Sequence, residues 1–172
     1  GNFSGKGKIE SILVDDAAGF VYYSDEGAGI RKVHADPDAR DAGKELALFG
    51  TEGYVGDREG LAIYETSPGK GWLVSTDQIK GGSVMKVYRR QGEPGRPHKH
   101  FLVASIPIEA DDTDGIEVSS LPLGAKFPKG LLVAMNSRDR NFHFYRADDL
   151  LTRIQAALNA KSRSADGRAH QP

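Results

Sequence analysis

The sequence has no cysteine among its 172 residues. That excludes a disulfide framework, a thiolate nucleophile and a thiolate-bound zinc. Net charge is also scarce. The 23 basic and 24 acidic side chains leave a formal charge of −1, so there is no basic field of the kind that recruits nucleic acid or an anionic membrane. No apolar run approaches the roughly 18 residues that span a bilayer. The opening residues, GNFSGKGKIE, do not read as a signal peptide, so an exported parent protein would carry its signal elsewhere. No convincing Ser-His-Asp set is present. What the chain does hold is ordinary globular composition, one domain in length, with 21 glycines that call for many turns.

Helical periodicity is nearly absent too. Short apolar runs rich in Val, Ile, Leu, Phe and Tyr predict strands near 8–14, 19–24, 29–34, 45–50, 60–65, 71–76, 84–89, 100–107, 115–120, 130–135 and 141–146. Between them lie turn clusters such as DDAAG, DEGAG, SPGKG and PLGAKFPKG. The one predicted helix, over 148–160, places Leu150, Leu151, Ile154, Ala157 and Leu158 on one face, with Asp148 or Asp149 as its cap. The polar run 161–172 is expected to be disordered.

The strands repeat in groups. A first strand opens with an acid, a small residue and an aliphatic: Glu10-Ser11-Ile12, Glu59-Gly60-Leu61 and Asp114-Gly115-Ile116. A second starts at glycine and ends polar: GFVYYSDE, GWLVSTDQ and GLLVAMNS. A third carries alternating bulk, and a fourth, ELALFG or HFLVASI, is visible in two groups. In the third group the helix follows the third strand at once. A four-strand unit recurring at roughly 50-residue spacing marks propeller blades, here near 8–50, 57–107 and 112–146. A meander sandwich is the competing architecture. Since propellers close with about four to eight blades, three leave two faces to be covered by missing blades, from the rest of a parent chain or a homodimer.

In an antiparallel blade the first strand begins at the end where the second finishes. Glu10, Glu59 and Asp114 should therefore gather with Asp25 and Glu26, Asp77 and Gln78, and Asn136 and Ser137. Asp57 and the DDTD run at 111–114 fall beside them. Carboxylates so crowded repel one another unless a cation compensates. Calcium, with six to eight oxygen ligands in flexible geometry, is the natural candidate; magnesium and manganese remain open, as does the reading of these acids as plain turn residues.

Five blocks in this order, IESILVDDAAGFVYYSDE, DREGLAIY, GWLVSTDQ, DTDGIEV and GLLVA followed by NF, resemble the C-terminal half of the β-propeller phytases. The resemblance implies an all-β fold of three four-stranded antiparallel blades, half of a six-bladed propeller, with one C-terminal helix. It implies a secreted or periplasmic, calcium-dependent hydrolase of phytate, inositol hexakisphosphate, in which water attacks phosphate. Carried over residue by residue, the metal ligands are Glu10, Glu26, Asp57, Glu59 and Asp114. Glu26, Asp57 and Glu59 are the catalytic candidates, and Arg58, Lys80 and Gln78 the substrate-binding ones. The sequence departs from the family pattern at Ser11, where glycine is usual, and in a shortened loop before DTDG, where Asp111 or Glu109 could replace a missing acid. Most of the family's phosphate-gripping residues belong to blades not present here. A non-catalytic module binding calcium or phosphorylated ligands is the alternative function. His98-Lys99-His100 reads as a solvated loop, His34 and His143 as packed or half-exposed, and Trp72, Tyr22, Tyr23 and Tyr64 as packing between blades.

Overall fold

The computed structural model describes Gly5 and residues 7–168, with only the backbone of 165–168. β1 (Ile9–Asp15), β2 (Phe20–Asp25), β3 (Gly29–His34) and β4 (Ala47–Phe49) form one antiparallel sheet in chain order. β5 (Asp57–Ser67), β6 (Lys70–Gln78), β7 (Val84–Arg89) and β8 (Leu102–Pro107) form a second, and β9 (Ile116–Ser119), β10 (Leu131–Asn136) and β11 (Asn141–Arg146) a third. Every predicted strand is present. The third sheet stops at three strands because α1 (Ala147–Arg168) begins directly after β11.

The sheets pack face to face like consecutive propeller blades, with β5 lying against both β1 and β9. The first strand of each sheet therefore lines a common axis. Period-2 alternation along the strands supplies the cores between blades. Tyr22, Ile30, Phe49, Leu61, Leu73 and Tyr88 fill the first interface. Val74, Val87, Ile106, Leu132 and Ala134 fill the second, which is closed at its edge by Leu150 and Ile154 of α1. Near the axis the blades touch through main chain. A Cβ on Gly60 would lie 2.7 Å from the Ile116 nitrogen, so glycine is needed for that approach. At the matching position of the first blade, Ser11 is accommodated because its hydroxyl donates to the Glu59 carbonyl at 2.7 Å.

A repeated polar latch fixes the entry to each first strand. At the ends of β2, β6 and β10 stand Asp25, Asp77 (one residue before the end of its strand) and Asn136, all buried. Asp25 accepts from the Gly7 N–H at 3.0 Å, Asp77 from Gly56 at 2.8 Å, and Asn136 Oδ1 from Asp111 at 2.9 Å. Each donor stands three residues before Glu10, Glu59 or Asp114. A buried carboxylate needs a counter-charge, and the third strands provide it. Arg31 Nε lies 2.9 Å from Asp25 and Lys86 Nζ 3.2 Å from Asp77. In the third blade the latch is a neutral amide, whose Nδ2 donates to Asp139 and Asn141, and His143 occupies the strand position that Arg31 and Lys86 hold in the others. At the opposite end of the blades, Arg90 of the second sheet is held by both oxygens of buried Asp15 in the first.

Two expectations change. α1 continues eight residues past 160, where disorder was expected. Its serines turn their hydroxyls back onto carbonyls, Ser162 onto Leu158 and Asn159 and Ser164 onto Lys161, while Lys161 bonds Leu102 of β8. The rest of that predicted tail, 169–172, lies outside the described residues. His98-Lys99-His100 is a loop solvated only in part: Lys99 is exposed and His98 half-buried. His100 is buried, stacked on Phe49 at 4.5 Å between ring centroids, with Nδ1 2.9 Å from the Arg89 carbonyl oxygen. Burial holds its imidazole neutral, with a pKa of about 4. The apolar surface of the neighbouring blade, invisible in the local sequence, draws the ring inward.

Replacing Asp77 by alanine removes the latch and leaves the buried Lys86 ammonium with the Gly53 carbonyl but no counter-charge. The expected loss is about 3–5 kcal/mol, read by denaturant unfolding. The double variant Asp77→Ala/Lys86→Met should recover part of it; a single variant as stable as wild type would refute the latch.

Candidate metal centre

The pairs that close the second strands divide into two roles. The first member of each pair is the buried latch. The second, Glu26, Gln78 or Ser137, belongs to the mouth. There the strand starts bring Glu10, Asp57, Glu59 and Asp114 together with Glu26. Glu59 is the best shielded, 7% exposed, whereas Asp57 and Asp114 stand in solvent. Burial first, then the negative fields of Glu10, Asp114, Asp57 and Glu26, push the Glu59 carboxyl up to a pKa of about 7. The other four predicted ligands thus all bear on Glu59.

The acids form a loose ring. Among the described residues, no group of three acid or imidazole side chains is set to hold a metal ion as it stands. The donor chemistry nevertheless fits a hard cation: carboxylate oxygens around a carboxyl whose pKa burial and neighbouring charge raise, with an amide beside them. Gln78 Nε2 donates to Asp114 Oδ1 at 2.5 Å. Among the described residues, a lysine reaches the acids. Lys8 Nζ stands 3.6 Å from Glu10 and 3.9 Å from Glu26.

The predicted phosphate contacts are placed unequally. Arg58 points its guanidinium at main chain, donating to the carbonyls of Gly50, Glu26 and Thr51 at 2.7, 3.1 and 3.2 Å. It also stacks over Tyr54. Its job is to tie the first blade to the second. Lys80 is exposed, and its charge reaches Asp111. Asp111, offered as a replacement ligand, accepts from the Gly81 N–H and pairs with Arg138 at 3.0 Å. These contacts, the Gly81 bond above all, hold its carboxyl below the usual range. Glu109 lies beside the Tyr145 hydroxyl, away from the ring. Lys8 and Arg138 were missed in the sequence. The signal for Lys8 was available in the repeat: it stands two residues before the mouth acid, where the next blades carry Asp57 and Asp112.

Fold and mouth together define a propeller segment with an acid-lined axial opening. The phytase family profile matches residues 2–143, and the chain belongs to that family. It is 32% identical over 139 residues to the 3-phytase of Bacillus subtilis (strain 168), an alignment covering 77% of this chain and 34% of that protein. The chain therefore spans about a third of the length of that relative. A protein of Methanothermobacter thermautotrophicus named tRNA-splicing endonuclease is 27% identical over 121 residues, covering 70% of this chain and 68% of its own length.

The raised Glu59 carboxyl makes the cation-free protein pH-sensitive. Its folded pKa, about 7, exceeds the ordinary 4.5, so the native state binds more protons than the unfolded chain between those values. Stability should then fall as pH rises from about 4.5 to 7 and level off above, by on the order of 2–3 kcal/mol. In chelator, Glu59→Gln should lose this component and be the more stable protein at pH 8. Parallel pH profiles for wild type and variant would show that the acids do not interact.

Proposed function

We propose that this chain is the calcium-binding part of a phytase-type phosphatase, hydrolysing a phosphate monoester of phytate to inorganic phosphate and the free inositol hydroxyl. The observation that carries this reading is the convergence of Glu10, Glu26, Asp57, Glu59 and Asp114 at one end of the axis, in a chain of the phytase family. Calcium held there would neutralise phosphate charge and activate water for attack. Glu26, Asp57 and Glu59 would orient that charge beside the scissile phosphate, while Glu10 and Asp114 complete the oxygen donors from the flanking blades. Gln78 fixes Asp114 by its amide. Lys80, exposed at the rim, is the predicted cation left free to meet a substrate phosphate, because Arg58 is committed to carbonyls.

The sparse basic rim favours sharing the work with further blades. Two apolar faces support this. Ile12, 69% exposed, lies with Val14, Val21, Tyr23 and Val33 on the outer face of the first sheet. Phe142, 62% exposed, lies with Val133, Met135 and Phe144 on the outer face of the third. In this reading both pack on further blades, from a parent chain or a second copy. The same sparse rim is what supports the alternative, a module that binds calcium or phosphorylated ligands without turnover.

Phosphate release from phytate, assayed in calcium and in chelator, separates the two. Calcium-dependent release is expected, abolished by Glu59→Ala. Calcium binding without release would establish the module instead, and neither binding nor release would overturn both.

A further inference from the structure

The mouth is built on a repeat in which one position changes sign. The latch makes the three blades superimposable in role: Gly7, Gly56 and Asp111 are the anchored donors, and Glu10, Glu59 and Asp114 the acids three residues on. The residue after each anchor is Lys8, Asp57 or Asp112. At this sequence position two blades carry an acid and the first blade carries an ammonium.

The Lys8 backbone is fixed on both sides. Gly7 N–H is held by Asp25, and the Lys8 carbonyl accepts from the Glu26 N–H at 3.0 Å. From that fixed point the side chain, 77% exposed, sets Nζ between Glu10 Oε1 and Glu26 Oε2. Those carboxylates belong to β1 and to the turn after β2, and a cation bridging them would stand where the ammonium does. Nothing buries Lys8, so its flexible stem can swing out at little cost.

We propose that Lys8 is a built-in counter-ion of the carboxylate ring, seated between Glu10 and Glu26 and displaced when a divalent cation binds. Without the cation it relieves repulsion between the two acids. With it, the same charge competes. The ring is thereby kept folded when empty, and its affinity is set lower than five carboxylates alone would give. The inference rests on the calcium reading above and adds to it a residue that sets the affinity.

The test is calorimetric titration of calcium chloride into the chelator-stripped full chain, as wild type, Lys8→Met and Lys8→Arg, with circular dichroism confirming each fold. Lys8→Met should bind with a Kd lower by roughly three- to thirtyfold, the range expected when one or two exposed ion pairs no longer have to be broken. Lys8→Arg, which keeps the charge, should stay close to wild type. In chelator Lys8→Met should melt below wild type, and in saturating calcium the gap should close. Equal Kd values for wild type and Lys8→Met would overturn the proposal while leaving calcium binding intact. Absence of binding in every protein would overturn the calcium reading instead; the chelator melting points then decide the counter-ion role, and coincident midpoints would end it.

Discussion

A buried carboxylate or amide at the end of each second strand holds the main chain just before each first strand, and the mouth depends on that contact. Asp25, Asp77 and Asn136 each take an N–H that would otherwise be an unpaired donor near the axis. In doing so they set where the next acid emerges. The two charged latches are matched by Arg31 and Lys86, while the neutral one works without a strong cation. Three blades of different sequence thus deliver Glu10, Glu59 and Asp114 to equivalent places by the same bond.

The consequence is electrostatic. Once strand starts are fixed around one axis, their acids cannot move apart, and the cost appears at the least solvated of them. Glu59 retains its proton to about pH 7 because it is buried amid four other carboxylates. A hard cation bound there would relieve that cost. Acidic repulsion and cation-free stability are therefore two readings of one charge arrangement.

The blades were legible in the sequence because alternation and turn chemistry are local, and the acid-small-aliphatic repeat marked each first strand. The acids of the mouth were legible for the same reason. Roles that depend on which face a side chain takes were not. Asp25 and Glu26 are neighbours in sequence, yet one is a buried latch and the other lines the mouth. Arg58 sits inside the DREG block, but its fate was decided by carbonyls of Gly50 and Thr51, which only the approach of two blades supplies. His100 was pulled into a core by Phe49 from the preceding blade, and the helix outran its expected end through a contact with Leu102.

The central claim is that the five acids form one cation site. Its most direct test is a crystal structure grown in calcium, with anomalous difference density collected to locate the ions. Density is expected, coordinated by carboxylate oxygens from among Glu10, Glu26, Asp57, Glu59 and Asp114, with Lys8 turned away. Ordered carboxylates with no density between them at saturating calcium, or ions bound only elsewhere on the surface, would contradict it.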